Sequence, residues 1–312
     1  MKKTRVVFLG TPEFAVESLK AVEESEKIDI PLVISQVDRR RNRGKFSPTP
    51  VKEFALSKNL EVYTPENINS KESIKRIVQA NPDFLVVVAY GQIIDDELLS
   101  RYKDRILNVH SSLLPKYRGA APINWAIVEG EKESGVTVML VEKGLDTGDI
   151  LFKLSTEIKE DETADELHDE LMVLGGKSIV EVLLNFNEYY KKRIPQNEEK
   201  SSYRGILKKE MGKINWNDKS LNIYNRFRGF YPWPGSFFEY FDNKVKVLKM
   251  DYILQPHDLT PGYVKEVGPE NIKIASLDGF ILLEEIQFPN KKKMPVSSFL
   301  RGNEFKNNII LT

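Results

Sequence analysis

Short apolar runs alternate with helical patterns through the first two-thirds of the chain, and this alternation constrains the fold more than any other feature. The runs are Arg5–Leu9, Leu32–Gln36, Phe84–Ala89, Ile106–Val109 and Val136–Val141. Because each run is almost continuously apolar, we expect each to form a strand that is buried on both faces. Helices on the two faces of a parallel sheet bury strands in this way. The sequence therefore predicts an α/β domain built on a parallel sheet.

Two helices are predicted from their start signals. Thr11 and Pro12 follow the first strand as N-cap and first helical residue, and this helix should run from Pro12 to about Glu24. A second helix should begin at Thr163, because Thr163 and Glu166 have the spacing of a capping box. Its apolar stripe consists of Leu167, Leu171 and Leu174. We expect this helix to close the first domain.

A change of pattern after residue 190 indicates a second domain, and 312 residues are many for a single core. Residues 191–207 are charged and polar with one proline, which is typical of a linker. Beyond them, short alternating segments are separated by turn signals, and these segments are Lys244–Lys249, Gly262–Val267, Ile272–Ala275 and Phe280–Ile286. We therefore predict a first domain over residues 1–190 and a small β-barrel or sandwich over residues 208–312.

Composition excludes several classes of protein. The chain has no cysteine, which rules out disulfides, thiolate zinc sites, iron–sulfur clusters and a cysteine nucleophile. Lys+Arg and Asp+Glu are both 46, so any nucleic-acid site has to be local. The apolar run near the N-terminus is too short for a signal peptide, and the longest apolar stretch, Phe84–Tyr90, is too short for a membrane helix. We expect a cytoplasmic protein.

The first strand and turn do not carry a dinucleotide fingerprint. Gly10 occupies the first glycine position of the G-x-G-x-x-G pattern, but Pro12 and Ala15 occupy the second and third. A proline ring at the second position keeps the backbone away from a pyrophosphate, which argues against NAD. A tight turn without ligand contact explains Gly10 equally well.

Asn108 and His110 are the first candidates for chemistry. Alternation along a strand places their side chains on the same face, at the carboxyl end where open α/β sheets bind ligands. An amide and an imidazolium at that edge can stabilise an oxyanion. A core histidine with satisfied nitrogens is the structural alternative. His168 and His257 receive no functional role, and three scattered histidines do not predict a metal site.

Two loops that follow Asn108 and His110 in the sequence have residue types that can form part of a ligand site. Ser112–Pro115 contains a Leu-Leu step closed by a proline, which can form a stiff wall for a flat aromatic ligand, although a plain loop has the same composition. Gly144–Asp149 has two glycines that permit an abrupt loop with Asp146 directed inward. That carboxylate can pair with His110 or accept a proton from an attacking amine, although such a sequence is also common in turns.

Taken together, these segments resemble the catalytic region of the folate-dependent formyltransferases. The motifs that carry the resemblance are Asn108-Val109-His110, Ser112–Pro115, Arg118–Pro122 and Gly144–Asp149. Further matches to the tRNA-formylating members are Phe8–Phe14, Val86–Gly91 and, in the second domain, Phe230–Gly235. Matches in both domains cover nearly the full length.

The resemblance implies an α/β, Rossmann-like formyltransferase domain followed by a small OB-like β-barrel domain. It implies formyl transfer from 10-formyltetrahydrofolate, a cosubstrate, to the amino group of methionine on initiator tRNA, by a protein we expect to be a monomer. By the same resemblance, Asn108, His110 and Asp146 are catalytic and Ser112, Leu113, Leu114 and Pro115 bind folate. We hypothesise that Asn108 and protonated His110 hold the oxyanion, and that Asp146 keeps His110 charged and relays a proton.

A basic stretch is the candidate tRNA contact. Within residues 38–45 the positive side chains are those of Arg39, Arg40, Arg41, Arg43 and Lys45. Such runs are usually solvated loops, but the resemblance implies an inserted loop that engages the acceptor stem. This chain departs from the family pattern at Val37 and Arg40, where prolines are usual, so individual contacts stay open.

The second domain offers further cations and aromatic residues. Residues 208–312 carry 16 Lys+Arg against 12 Asp+Glu, and a basic strip on an OB-like barrel can bind nucleic acid. Its candidates are Lys244, Lys246, Lys249 and Lys291–Lys293. We predict that Trp125, Trp216 and Trp233 pack rather than stack on bases. Open alternatives are formylation of an amino sugar nucleotide, a nicotinamide oxidoreductase and a non-enzymatic RNA-binding protein.

Overall fold

The computed structural model describes residues 2–40 and 46–312, without the side chains of Arg39, Arg40 and Phe46. The chain forms two compact units, each assembled from three segments. The first unit comprises Met1–Pro122, Glu133–Glu157 and Leu167–Arg204. The second comprises Ile123–Lys132, Ile158–Glu166 and Gly205–Thr312.

Strands and helices are numbered along the chain. The strands are β1 (Thr4–Gly10), β2 (Ile28–Ile34), β3 (Arg39–Arg40), β4 (Phe46–Ser47), β5 (Val62–Tyr63), β6 (Phe84–Val88), β7 (Ile106–His110), β8 (Arg118–Gly119), β9 (Glu133–Leu140), β10 (Ile150–Glu157), β11 (Tyr203–Arg204), β12 (Ser236–Tyr240), β13 (Asn243–Leu254), β14 (Val264–Val267), β15 (Ile272–Ala275), β16 (Gly279–Gln287) and β17 (Met294–Pro295). The helices are α1 (Phe14–Glu23), α2 (Pro50–Ser57), α3 (Lys71–Gln79), α4 (Asp96–Arg101), α5 (Pro122–Val128), α6 (Ala164–Leu184), α7 (Phe186–Lys191), α8 (Ser220–Gly229) and α9 (Val296–Phe299).

A Rossmann-like sheet with strand order β10-β9-β7-β6-β1-β2-β5 organises the first unit. The five strands from β7 to β5 run parallel, as predicted, and in β1 the residues Val6–Leu9 are fully buried. The prediction was wrong for the strand from Val136, because β9 is antiparallel to β7 and β10 is antiparallel to β9. An apolar run indicates that a strand is buried on both faces, but it does not indicate the direction of the strand. The direction depends on the connection that precedes the strand.

The start of α1 differs from the prediction. The helix begins at Phe14, its N-cap residue is Glu13, and no side chain caps it. Thr11 instead donates its hydroxyl hydrogen to the carbonyl oxygen of Tyr90, at 2.8 Å. A Cβ atom on Gly10 would lie 2.8 Å from the Cβ of Ala15, so this turn needs glycine for packing of the strand against the helix. Gly10 is therefore explained by close packing, and whether it contacts a ligand stays open.

The predicted capping box of α6 is confirmed. The Thr163 backbone N–H and hydroxyl both donate to Glu166 Oε2 at 2.8 Å, and the Glu166 N–H donates to Thr163 Oγ1 at 3.4 Å. These bonds satisfy amide hydrogens that the first turn of a helix otherwise leaves without partners. Helix α6 begins at Ala164, one residue after the predicted start.

An antiparallel sheet with strand order β12-β13-β16-β15-β14, extended by β17 on β16, forms the second unit. Inward-facing Val245, Val247 and Leu283 belong to its apolar core. Of the three tryptophans, Trp216 is buried in that core, and Trp125 is half-buried with an edge-on contact to Phe230. The packing prediction was wrong for Trp233, whose side chain is 54% exposed.

None of the helices in the described ranges has the length and apolar character needed to cross a lipid bilayer.

Candidate functional site

Asn108 and His110 project from the same face of β7, as strand alternation predicts, and both approach the carboxylate of Asp146. The amide Nδ2 of Asn108 lies 3.5 Å from Asp146 Oδ1, and Nδ1 of His110 lies 3.7 Å from Asp146 Oδ2. The His110 and Asp146 side chains are only 8% and 11% exposed. The structure thus brings the three predicted catalytic residues together in one shielded cluster.

The loop between β9 and β10 carries Asp146 to this cluster. Asp146 has a φ of +54°, in the left-handed region that most residues avoid. Two residues later, a Cβ atom on Gly148 would lie 1.9 Å from the carbonyl oxygen of Leu140, so only glycine fits there. The glycine-containing loop therefore directs Asp146 inward, as the sequence suggested.

Nitrogen atoms surround the Asp146 carboxylate. Besides the contacts from Asn108 and His110, the backbone N–H of Gly119 donates to Asp146 Oδ2 at 2.9 Å. Because a buried carboxylate needs hydrogen-bond donors to offset its lost hydration, these contacts favour a fixed position for the Asp146 side chain. The Gly119 contact was not predicted from the sequence.

The second ring nitrogen of His110 fixes the tautomer. Nε2 of His110 lies 2.9 Å from the carbonyl oxygen of Tyr117. A carbonyl oxygen can only accept, so Nε2 carries a hydrogen and donates it. In the neutral ring, Nδ1 then holds the lone pair, and it is the nitrogen that faces Asp146.

The predicted folate segment has two buried and two half-buried residues. Ser112 and Leu114 are buried, and the Ser112 hydroxyl donates to the carbonyl oxygen of Lys116 at 2.7 Å. Leu113 and Pro115 are half-buried. Thr137 accepts the Leu114 N–H at 3.1 Å, which fixes the segment against β9. Only Leu113 and Pro115 of this segment therefore present partly accessible side chains to a ligand.

An outer layer of polar side chains lies behind the Asp146 loop. Gln196 donates from Nε2 to the carbonyl oxygens of Asp146 and Gly148, at 2.8 and 2.9 Å. Its Oε1 accepts from Nε of Arg118 at 3.0 Å. This contact could not be predicted from sequence patterns, because Gln196 lies 50 residues from Asp146, within the segment predicted as a linker.

Of the residues predicted to contact tRNA, Arg41, Arg43 and Lys45 lie outside the described residues. Arg39 and Arg40 form β3, which pairs antiparallel with β4, and their side chains are also outside the description. The prediction for this stretch therefore stays a prediction.

Lysines of the second unit gather where β13 meets β12. Lys244 Nζ lies 3.3 Å from the centre of the Phe237 ring, which is within cation–π distance. Burial, followed by the nearby charges of Lys209 and Lys246, lowers the pKa of Lys244. Lys249 differs, since it pairs with Glu284 at 2.8 Å. Lys209, Lys244 and Lys246 thus place positive charges close together, although Glu210 and Glu239 also lie nearby and partly offset the repulsion.

The other two histidines have structural partners. His168 contacts the Phe14 ring edge-on and lies 3.2 Å from Asp169 Oδ1. His257 bonds the carbonyl oxygen of Gly279 through Nε2 and accepts the Leu259 N–H at Nδ1. Among the described residues, no group of three or more histidine, aspartate or glutamate side chains is arranged to hold a metal ion.

The cluster of Asn108, His110 and Asp146 has the groups that acyl transfer requires. An amide donor and an imidazole can stabilise negative charge on a carbonyl oxygen, and an adjacent carboxylate and imidazole can exchange protons. The largely buried surroundings of His110 and Asp146 strengthen these interactions relative to water.

Comparisons with known proteins agree with this chemistry. Residues 4–183 match the family model described as formyl transferase, and residues 206–304 match that of the formyl transferase C-terminal domain. The chain is 48% identical to the methionyl-tRNA formyltransferase of Finegoldia magna, over 99% of this chain and 100% of the relative. It is 43% identical to that of Clostridium tetani, over 98% and 99%.

Solved structures share the fold at lower identity. A sugar 3N-formyl transferase, WlaRD, superposes with a TM-score of 0.67 at 24% identity, covering 94% of this chain and 100% of that one. An N-formyltransferase from Helicobacter canadensis gives a TM-score of 0.62 at 22% identity, covering 93% and 100%. With family matches in both parts of the sequence and relatives above 40% identity over nearly all of it, the chain belongs to the formyl transferase family.

Proposed function

We propose that this protein transfers a formyl group from 10-formyltetrahydrofolate to the α-amino group of methionine on initiator tRNA, producing N-formylmethionyl-tRNA. The observation that carries the proposal is the convergence of Asn108 and His110 on the Asp146 carboxylate. Relatives of nearly equal length that carry this activity in their names support the choice of acceptor.

The reaction is an acyl transfer between two nitrogens. The amine attacks the formyl carbon and a C–N bond forms, while the bond from that carbon to folate N10 breaks. One proton leaves the amine and one reaches N10, so the step balances without an oxidant or a metal. The barrier lies in the charge on the formyl oxygen and in the timing of the proton transfers.

Each catalytic residue has a role that its contacts support. Asn108 and protonated His110 are donors for the formyl oxyanion. Asp146, fixed by the Gly119 N–H, stabilises the imidazolium beside it and relays a proton from the amine, directly or through one water. In protonated His110 the added proton is on Nδ1, because Nε2 already donates its own hydrogen to the Tyr117 carbonyl oxygen.

The folate ring system binds along the segment Ser112–Pro115. The half-buried Leu113 and Pro115 supply the apolar contact, while Ser112 and Leu114 hold the segment in place from within. Lys153 also stabilises this segment, since its ammonium group donates to the Leu114 carbonyl oxygen. These residues fit a flat ligand that is used as a cosubstrate.

The tRNA binds through two basic regions in our proposal. One is the stretch with Arg39, Arg40, Arg41, Arg43 and Lys45, which engages the acceptor stem. The other is the lysine group around Lys244 and Lys246 on β13. We propose further that the second sheet closes as an OB-like barrel and that the enzyme is a cytoplasmic monomer. Along the sequence we propose domains over residues 1–190 and 208–312 with 191–207 between them, while residues 123–132 and 158–166 of the first belong to the second compact unit.

Single-turnover transfer of labelled formyl from 10-formyltetrahydrofolate tests the proposal. The acceptors are methionine-charged initiator tRNA, the same tRNA uncharged, free methionine and amino sugar nucleotides. Transfer to the charged initiator tRNA alone is expected. Transfer only to an amino sugar nucleotide would contradict the proposed tRNA acceptor but not the proposed chemistry at His110. No transfer to any acceptor would contradict the whole proposal.

A further inference from the structure

We propose that Gln196 is a positioning residue for formyl transfer, because it holds the Asp146 loop in its strained conformation. The inference rests on the proposed function for its catalytic readout. Gln196 touches neither substrate nor reacting atoms in this proposal and acts only through Asp146.

The first argument is the pair of bonds to the loop. Nε2 of Gln196 donates one hydrogen to the Asp146 carbonyl oxygen at 2.8 Å and one to the Gly148 carbonyl oxygen at 2.9 Å. These bonds bracket the residue with a φ of +54° and the glycine that lies against Leu140. A left-handed aspartate persists only when its surroundings determine it, and this amide supplies two side-chain hydrogen bonds to carbonyl oxygens of the loop.

The second argument concerns the orientation of the Gln196 amide. Oε1 of Gln196 faces Nε of Arg118 at 3.0 Å, and a guanidinium can only donate. The oxygen therefore belongs on the Arg118 side, which turns the NH₂ group towards the two carbonyls. Arg118 is itself held by both oxygens of Glu198 at 2.8 Å and is 6% exposed. The amide thus has a single orientation that satisfies all of its partners.

The third argument is that the same network reaches the carboxylate. Arg118 lies in β8, and the next residue, Gly119, donates its N–H to Asp146 Oδ2 at 2.9 Å. Strand β8 pairs with β11, which follows Gln196 in the chain. Gln196 therefore fixes the main chain of Asp146 while β8 fixes its side chain, and Arg118 joins the two. Displacing the loop would move the carboxylate relative to His110.

The variant Gln196→Glu separates positioning from packing. Glutamate keeps the size of the side chain and the acceptor for Arg118, but it replaces the donor with an oxygen that repels both carbonyls. We expect kcat to fall about 10- to 100-fold, because small displacements of catalytic groups have effects of that order. KM for folate and for tRNA should change less than about threefold. The neutral variant Gln196→Met, which removes the bonds without adding charge, should show the same division.

The control is Gln79→Glu, which makes the same charge change at an exposed helix end. Its kcat should equal that of the wild type. If Gln196→Glu and Gln196→Met both retain kcat within twofold, or raise KM for tRNA at unchanged kcat, the positioning role is wrong.

A second measurement does not depend on activity. Amide hydrogen exchange across residues 144–149 should be at least about tenfold faster in both Gln196 variants than in the wild type, with exchange in β1 unchanged. Unchanged exchange in the loop overturns the inference even if activity falls. A wild type that transfers no formyl group overturns the proposed function, whereas loop exchange still decides whether Gln196 holds Asp146.

Discussion

Polar groups are held in opposite ways in the two units of this molecule. In the first unit, the His110 and Asp146 side chains are about nine-tenths buried, and backbone or side-chain partners fix each of them. In the second, Lys246 and Lys209 are exposed, and the neighbours of Lys244 are a ring, these two lysines and the carboxylates of Glu210 and Glu239. One arrangement fixes geometry and the other concentrates charge.

The difference corresponds to two physical requirements. A transition state needs donors within a few tenths of an ångström of a developing charge, so the groups that serve it are held rigidly. A polyanion responds mainly to the number of cations near it and tolerates their motion. The predictions below test whether the two regions can be altered independently.

The largest effect is expected in the cluster of Asn108, His110 and Asp146, which we propose to be catalytic. Asn108→Ala and His110→Ala each remove a donor proposed for the oxyanion, and turnover should fall about 10²- to 10³-fold. Equilibrium binding of charged initiator tRNA, measured without folate, should stay within about threefold of the wild type. A near-normal single-turnover rate in either variant would show that its residue does not stabilise the oxyanion. A parallel loss of tRNA affinity would show that the two regions cannot be altered independently.

A smaller effect is expected for the lysines around Lys244, and it should appear in tRNA binding instead of in turnover. The double change Lys244→Gln/Lys246→Gln should weaken tRNA binding about tenfold at low salt, with the slope of log affinity against log salt reduced by about 2. The rate at saturating tRNA should not change. Lys192→Gln is the matched control, since that lysine is exposed in the first unit beside Glu188. An unaltered salt slope would exclude phosphate contact by this pair.

The smallest effect is expected at the capping box of α6, where polar geometry is fixed but no chemistry is proposed. Thr163→Ala removes the hydroxyl that bonds Glu166, and the free energy of unfolding should fall by about 1 kcal/mol at pH 7 with kcat unchanged. Chemical denaturation with paired activity assays measures both quantities. A lower kcat at full stability would link this helix start to the reaction.

The same pair gives a pH dependence of known sign. Hydrogen bonds from the Thr163 backbone and side chain lower the pKa of Glu166 below its ordinary value of 4.5. A carboxylate with a lowered folded pKa stabilises the fold above 4.5, and the contribution is lost as the pH falls through the lower, folded value. The difference between wild type and Thr163→Ala should therefore shrink in acid. A difference that stays constant from pH 7 to pH 3 would contradict the ionic character of this bond.

Local patterns predicted the elements whose cause is local. Apolar runs located the central strands, the Thr163 and Glu166 spacing located the start of α6, and alternation placed Asn108 and His110 on one face. The direction of β9 and the contact of Thr11 with Tyr90 could not be predicted, because both depend on residues distant in sequence.

The candidate site was predictable in its inner layer and not in its outer one. A histidine, an amide and a carboxylate have residue types that indicate chemistry, and the glycines around Asp146 indicate its loop. Gln196 carries no such mark, since glutamine is common on surfaces and its position suggested a linker. Only the fold reveals that residues 196–204 run beside β8. Residues that act through others therefore tend to escape motif analysis.

The segment composition of the second unit limits its modularity. Ile123–Lys132 and Ile158–Glu166, drawn from the first half of the sequence, belong to that unit together with everything after residue 204. Within it, the buried Arg228 donates to the carbonyl oxygens of Lys159 and Glu162. A gene fragment starting at residue 205 would encode a protein whose buried guanidinium has lost those acceptors. The two parts of the gene are consequently poorly suited to recombination, because a cut before residue 205 separates residues that belong to one compact unit.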